Sequence, residues 1–260
     1  MATAALFRDA VGLGQKDFRL MVELLERLKI AGRRALLPVQ LQHILRRVRD
    51  ERLTYLSQAK LLALANCCRA IERQKIPGMI IEAGCALGGS SILLAACKDP
   101  GRPQFIHDVF AMIPPPGPGD GADVHERYAT IAAGESVGLK GETYYGYLPD
   151  LQDRVKESFA RLGYPIEANS VSLVAGLVQD TLQVNSPVAL AHIDVDWYEP
   201  VLCCLERIEP HLSVGGSMIL DDYESWSGCK SAVEEFFRTR DRQKFAVDDR
   251  AMSLVITKRG

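Results

Sequence analysis

The sequence predicts an α/β fold, a mostly parallel sheet flanked by helices, with an N-terminal helical extension. From residue 79 onward, short apolar runs of strand length alternate with amphipathic helical runs, as in parallel sheets covered on both faces. Residues 17–71 instead carry apolar side chains at three- and four-residue spacing, which is typical of helices. Pro77-Gly78 separates the two patterns. We therefore expect a helical extension over 1–76 and an α/β domain over 77–260.

Three helices are predicted in the extension. Pro38 lies between the first and the second helix, and Pro77-Gly78 ends the third. Each helix has an apolar stripe, so each is expected to cover another surface. The apolar positions are Leu20, Leu24, Leu25 and Leu28, then Leu41, Ile44, Leu45 and Val48, then Leu61, Leu62 and Ala65.

The α/β region begins with the run at 79–82, and the carboxyl ends of its parallel strands are expected to meet at one rim of the sheet. The interval between Phe110 and Val155 is long for a connection, which indicates a lid or substrate loop, with a plain surface excursion as the alternative. The predicted strands are 79–82, 104–107, 171–175, 188–194, 217–220 and 251–257, and the predicted helices are 90–97, 123–133 and 201–211.

The composition excludes several classes of partner. With 31 basic and 33 acidic side chains, the chain has no net field that would attract nucleic acid or an anionic membrane. No stretch approaches the ~20 apolar residues needed to cross a bilayer. The seven cysteines are odd in number and include no CxxC pair, which favours reduced thiols. We therefore expect a cytoplasmic protein that binds neither nucleic acid nor membrane.

A glycine-rich turn follows the first predicted strand, where residues 82–91 read EAGCALGGSS. Glycines at such a turn let the backbone approach a ligand closely, but the spacing differs from the dinucleotide fingerprint GxGxxG. Glu82 ends the strand where a carboxylate can pair with a cationic group. Asp108 follows the second strand, where a carboxylate can accept hydrogen bonds from ribose hydroxyls; a helix cap or turn is the alternative. No Tyr-x-x-x-Lys pair supports hydride transfer.

Acidic residues follow two consecutive predicted strands, with Asp194 after one and Asp221 and Asp222 after the next. If these strands are neighbours, about 4.8 Å apart, the three carboxylates converge and repel one another unless a cation joins them. Oxygen ligands in an open site suit Mg²⁺ best, with Mn²⁺ or Ca²⁺ as substitutes. The alternative is that these aspartates cap helices or pair with arginines. Asp196 would face the same side if its strand continued, as a general base or a further ligand.

Three motifs together resemble the macrocin O-methyltransferase family. They are IEAGCALGGSS at 81–91, HIDVDWYEPV at 192–201 and LxxGGxxILDDYESWSGCKSAVEEFF at 212–237. The resemblance extends from about Arg52 to the C-terminus. It implies a class I methyltransferase with a Rossmann-like fold, S-adenosylmethionine as cofactor, dependence on Mg²⁺, and sugars of natural products as acceptors.

The resemblance also implies roles for individual residues. The segment 109–114 reads VFAMIP where the family often has SFEGLP, and no acid follows Gly176 directly, so the adenine contact stays unassigned. The implied metal ligands are Asp194, Asp221 and Asp222, and the implied base is Asp196. The implied cofactor residues are Glu82, Gly84, Ser90 and, for the ribose, Asp108. The segment that folds over the cofactor includes Thr54 and Tyr55.

We therefore expect a metal-dependent O-methyltransferase that acts on a hydroxyl of a sugar or glycosylated natural product. Two alternatives remain open: a catechol-type O-methyltransferase acting on an aromatic diol, and a catalytically silent binding protein with the same fold. The expected partners are a small hydroxylated acceptor and a second copy of the chain, as a homodimer or higher homo-oligomer that uses the N-terminal helices.

Overall fold

The computed structural model describes residues 35–250 and 252–260, together with Lys16, Leu20, Leu24, Ile30 and Gly32. The chain divides into two compact units, Met1–Gln42 and His43–Gly260. The α/β fold and the candidate site belong to the second unit. The domain boundary expected at residue 77 stays a prediction.

The first predicted helix falls almost entirely on positions that the structure does not describe. Leu20 and Leu24 are helical and more than half exposed, whereas Leu25 and Leu28 lie outside the described residues. The second and third predicted helices are present, and their apolar stripes are buried, with Leu45, Val48 and Leu61 fully enclosed.

Eight α-helices lie within residues 39–238, and no helix in the described part of the chain is long and apolar enough to cross a membrane. The longest of them, α2, begins at an N-cap serine, Ser57, whose hydroxyl accepts a hydrogen bond from the Lys60 backbone N–H. Their bounds are α1 Val39–Asp50, α2 Gln58–Arg73, α3 Gly89–Cys97, α4 Ala122–Ala132, α5 Leu151–Arg161, α6 Val178–Thr181, α7 Tyr198–Ile208 and α8 Ser227–Arg238, with short 3₁₀ turns between them.

Seven strands accompany these helices in the described residues. The strands are β1 Met79–Ala83, β2 Gln104–Asp108, β3 Val171–Ala175, β4 Val188–Ile193, β5 Leu212–Leu220, β6 Phe245–Arg250 and β7 Ser253–Lys258.

The seven strands form one sheet in the order β3-β2-β1-β4-β5-β7-β6. Strands β1 to β5 are mutually parallel, and β7 runs antiparallel to both β5 and β6. The central strands β1 and β4 read MIIEA and VALAHI and are buried along almost their whole length, because helices cover both faces of a parallel sheet. The predicted α/β fold is therefore confirmed. Strand β6 was not predicted from the sequence.

The register of the parallel strands brings four loops to one edge of the sheet. Ala83 lies opposite Ile193 on one side and His107 on the other, and Ile193 lies opposite Leu220. Gly84, Asp194 and Asp221 directly follow β1, β4 and β5, and Asp108 is the last residue of β2. The sheet therefore gathers the glycine turn and the acidic residues at its carboxyl edge.

Candidate active site

Three aspartates converge where β4 and β5 end. Asp194, Asp221 and Asp222, hereafter the acidic cluster, each offer one carboxylate oxygen, and these atoms lie within 4.8 Å of one another. The backbone fixes two of them, because the Asp194 N–H donates to the Ala83 carbonyl at 2.8 Å and the Asp221 N–H donates to the Ile193 carbonyl at 3.0 Å. The sheet ladder thus continues one residue past each strand, and the predicted convergence is present.

The acidic cluster is electrostatically crowded. Burial, followed by the charges of Asp221 and Asp222, raises the pKa of Asp194 well above its ordinary value. Among the described residues, Asp222 Oδ2 is buried and has no hydrogen-bond partner. Buried carboxylate oxygens are normally paired, so an unpaired one beside two further carboxylates is the arrangement expected of a cation site.

Asp196 lies next to this cluster, although not by the route expected from the sequence. Strand β4 ends at Ile193, and Asp196 adopts a left-handed backbone conformation with φ +57°. This turn still brings Asp196 within hydrogen-bonding reach of Asp222. Burial and then the Asp222 charge raise the pKa of Asp196 well above its ordinary value, which makes it a stronger base than an exposed aspartate.

The glycine turn after β1 contacts the acidic cluster directly. Gly84 has φ +81°, and a Cβ at this position would overlap the carbonyl oxygen of Asp194. Asp108 holds the same turn from the other side, accepting hydrogen bonds from the backbone N–H groups of Cys85 at 2.7 Å and Ala86 at 3.2 Å. Its other carboxylate oxygen accepts from Phe110 N–H at 2.8 Å. Gly84 and Asp108, predicted for the cofactor, therefore belong to a turn that adjoins Asp194, predicted for the metal.

Glu82, which is predicted to bind the cofactor, is buried in the interior of the protein. The side chain is fully buried, accepts a hydrogen bond from the Ser91 hydroxyl, and lies 2.9 Å from His192 Nδ1 through its other oxygen. Burial alone would lower the pKa of His192, but the hydrogen bond to Glu82 raises it on balance. Ser90 is also buried, and it is Ser91 that contacts Glu82. The roles predicted for Glu82 and Ser90 in cofactor binding stay predictions.

The segment around Thr54 lies on the start of α3. The Gly89 N–H donates to the Leu53 carbonyl at 2.8 Å, so the chain here covers the glycine turn. Thr54 is buried and its hydroxyl accepts from Leu56 N–H at 3.1 Å. Tyr55 is 43% exposed and contacts Tyr145 edge-on, with ring centroids 5.7 Å apart. Direct contacts of Thr54 and Tyr55 with a cofactor stay predictions.

A cavity that is partly open to solvent lies at this edge of the sheet, with about 710 Å³ of empty space when its open mouth is included. Four of the predicted site residues line it: Gly84, Asp108, Asp194 and Asp196. The lining does not include Thr54, Tyr55, Glu82, Ser90, Asp221 or Asp222. The turn at 176–179, for which the sequence left the adenine contact unassigned, also lines the cavity, and the Gly176 N–H donates to the Asp108 carbonyl at 3.0 Å.

The long connection, residues 109–150, is attached to the helices that follow the acidic residues. Asp120 Oδ1 accepts from the Tyr198 N–H at 2.8 Å at the start of α7, and Asp123 Oδ2 accepts from the Ser227 N–H at 2.9 Å at the start of α8. Trp197 Nε1 donates to the Pro114 carbonyl at 2.9 Å. The connection therefore borders the cavity, as a lid or substrate loop would.

Sequence reasoning missed one cation in the site. Lys60 Nζ lies 2.8 Å from Asp221 Oδ2, and the two residues are 161 positions apart. Burial alone would lower the pKa of Lys60, but the Asp221 carboxylate raises it on balance, so the ammonium form is retained. The spacing of apolar residues in α2 predicted the helix and gave no signal for this contact.

Comparisons with known proteins place the chain in a family. Residues 49–249 match the family model of Macrocin-O-methyltransferase (TylF). A relative from Streptomyces olivaceus, 8-demethyl-8-(2,3-dimethoxy-alpha-L-rhamnosyl)-tetracenomycin-C 4'-O-methyltransferase, is 29% identical over 192 residues, which cover 72% of this chain and 66% of the relative. Demethyldecarbamoylnovobiocin O-methyltransferase from Streptomyces niveus is 27% identical, covering 77% of this chain and 72% of the relative.

Solved structures support the fold. The O-methyltransferase NovP superimposes with a TM-score of 0.63 at 24% identity, covering 80% of this chain and 82% of NovP. The calicheamicin methyltransferase CalS11 gives a TM-score of 0.59 at 18% identity, covering 88% of this chain and 90% of CalS11. The family match over most of the chain confirms the resemblance predicted from its acidic motifs, and the chain belongs to the macrocin O-methyltransferase family.

Proposed function

We propose that the chain transfers a methyl group from S-adenosylmethionine to a hydroxyl of a sugar or glycosylated natural product, with Mg²⁺ as an essential cofactor. The observation that carries the proposal is the acidic cluster beside the cavity, in which Asp222 Oδ2 is buried without a partner among the described residues. The name of the Streptomyces olivaceus relative gives a rhamnosyl-tetracenomycin as its substrate, which supports a sugar-bearing acceptor.

The residues present fit a divalent cation. The cluster offers three oxygen donors within 4.8 Å of one another, and hard cations such as Mg²⁺ prefer oxygen ligands. Three neighbouring carboxylates are disfavoured without added positive charge, as the raised pKa of Asp194 indicates. Asp194, Asp221 and Asp222 would hold the metal, which when bound would lower the pKa of the acceptor hydroxyl.

The cavity fits an adenosyl cofactor. Gly84 has no side chain and lines the cavity with its backbone, and the lining also includes the turn at 176–179. Asp108 lines the cavity at the position predicted for the ribose hydroxyls, and its hydrogen bonds to Cys85 and Ala86 keep the glycine turn in place. We propose that Glu82 and Ser90 shape this site from beneath, with Thr54 and Tyr55 above it.

Asp196 and Asp194 suit two tasks of the proposed reaction, which are removal of the acceptor's hydroxyl proton and alignment of the acceptor with the cofactor. Asp196 lines the cavity beside Asp222, and its raised pKa suits a general base that takes the proton of the acceptor hydroxyl. Asp194 contacts the glycine turn, so the acceptor side and the cofactor side are positioned by the same backbone. Holding the acceptor oxygen in line with the methyl donor is then the main contribution of the protein.

Aromatic side chains border the proposed acceptor side. Trp197 and Trp226 contact edge-on with ring centroids 5.8 Å apart, and Tyr144 packs in the same cluster. Such rings stack on the apolar faces of sugars and also on aromatic diols. The assay of function therefore includes catechol-type acceptors for comparison.

The cytoplasmic location and the homodimer or higher homo-oligomer stay predictions.

The test is a methyl-transfer assay with S-adenosylmethionine, Mg²⁺ and a panel of sugar nucleotides, glycosides and catechols, with products detected by mass spectrometry. We expect methylation of a sugar hydroxyl that chelation abolishes. Asp194→Asn should lose turnover but still bind S-adenosylhomocysteine, whereas Asp153→Asn, at an exposed aspartate of α5, should match the wild type. Turnover that survives chelation, or methylation of catechols alone, would contradict the proposal.

A further inference from the structure

Lys60 reaches the acidic cluster from the first turn of α2. Its Nζ donates to Asp221 Oδ2 at 2.8 Å and to the Asp221 backbone carbonyl at 2.9 Å. The side chains are 12% and 7% exposed, so this ion pair is largely shielded from solvent. A pair so placed is ordered, unlike the flexible ion pairs of protein surfaces.

Asp221 is held from its other side as well. The Ser253 hydroxyl, at the start of β7, donates to Asp221 Oδ1 at 3.0 Å, and Ser253 is 2% exposed. Both carboxylate oxygens of Asp221 therefore already have a protein partner, whereas Asp222 Oδ2 has none among the described residues. Asp221 is oriented before any cation arrives, in the way that outer partners orient metal ligands.

The positive charge of Lys60 acts on all three carboxylates of the acidic cluster. Its ammonium interacts electrostatically with Asp222 and Asp194 as well as with Asp221. Three carboxylates and one ammonium leave a smaller negative charge than the carboxylates alone. A divalent cation is consequently attracted less strongly than the number of aspartates would suggest.

We propose that Lys60 is a resident counter-ion of the metal site, which orients Asp221 and weakens the binding of a divalent cation so that the metal stays exchangeable. This inference rests on the proposed metal dependence. Lys60 is a positioning residue here, because it acts through Asp221. Even at the dielectric constant of bulk water, about 80, one positive charge about 5 Å from a divalent ion weakens its binding by about tenfold, and a lower effective dielectric constant would increase the effect.

The test measures Mn²⁺ affinity of the full-length protein by electron paramagnetic resonance, without acceptor. Lys60→Met and Lys60→Gln both remove the charge, and each should bind Mn²⁺ about tenfold more tightly than the wild type. Lys60→Arg keeps the charge and should stay within about threefold of it. Ser253→Ala loses one hydrogen bond to Asp221 at unchanged charge, so its affinity should be equal or weaker. Circular dichroism confirms that each variant is folded.

The outcomes separate the two proposals. Unchanged or weaker Mn²⁺ binding by the folded neutral variants, with a wild type that binds normally, would overturn the role of Lys60 and leave the metal dependence intact. If no variant and no wild-type protein bound Mn²⁺ at millimolar concentration, the proposed metal dependence would fail and the role of Lys60 with it.

Discussion

Alanine at Gly84 would meet two obstacles: a left-handed backbone conformation and a close contact with the Asp194 backbone. Comparison with alanine at a second left-handed glycine separates the two. Gly84 has φ +81°, and an added Cβ would lie 2.8 Å from the Asp194 carbonyl carbon and closer still to its oxygen. Because those atoms belong to backbone, the end of β4 would have to move. Gly134 is a matched control, since it has φ +77° and nothing within 4 Å of an added Cβ.

The two substitutions should differ by the steric contribution alone. A left-handed conformation costs alanine about 1 kcal/mol, and both variants bear that cost. Overpacking against backbone adds about 1 to 3 kcal/mol at Gly84. The Asp194 N–H bond to the Ala83 carbonyl, 2.8 Å long, would be strained by the same movement. We therefore expect Gly84→Ala to lose about 2 to 4 kcal/mol of unfolding free energy and Gly134→Ala about 1 kcal/mol.

Urea unfolding followed by circular dichroism measures both values, and equal slopes for the variants show that the same surface unfolds. Gly84→Ala should also bind Mn²⁺ more weakly, because Asp194 is displaced. If Gly84→Ala were no less stable than Gly134→Ala, the close contact between the glycine turn and the acidic cluster would be refuted.

Three further results are expected. Asp108→Ala removes the acceptor of three backbone hydrogen bonds and should weaken S-adenosylhomocysteine binding at least tenfold by calorimetry; an unchanged affinity would exclude this role. Burial lowers the pKa of His107 from 6.5 to about 4, so its contribution to stability is present above pH 6.5 and lost as the pH falls toward 4. His107→Gln should flatten that part of the stability profile, and an identical profile would contradict the assignment. Asp120→Ala should cost about 1 to 3 kcal/mol by removing the acceptor of the Tyr198 and Gly117 N–H groups, and Asp120→Asn, which keeps one of the two acceptor oxygens, should lose less in thermal unfolding; equal losses would contradict this.

The sequence predicts much of the fold because parallel strands carry a strong signal. The runs at β1 and β4 are apolar except for Glu82 and His192, and their alternation with helices implies neighbouring strand ends, which is how Asp194 and Asp221 could be paired without a structure. Strand β6 reads FAVDDR and lies at the edge of the sheet, where polar residues hide the pattern.

Other parts of the site depend on contacts that local spacing does not encode. Lys60 meets Asp221 across 161 positions, and Asp120 caps a helix 78 positions away. Asp196 reaches the cluster through a left-handed turn, whereas the sequence pattern suggested a continuing strand. Such contacts follow from how the long connection and α2 pack, which is a property of the folded chain.

The most direct test of metal-dependent methyl transfer is the anomalous diffraction of crystals grown with Mn²⁺ and S-adenosylhomocysteine. We expect one strong anomalous peak about 2.1 to 2.3 Å from oxygens of Asp194, Asp221 and Asp222, beside the bound cofactor product. A cofactor-bound site with no anomalous peak among these three aspartates would contradict it.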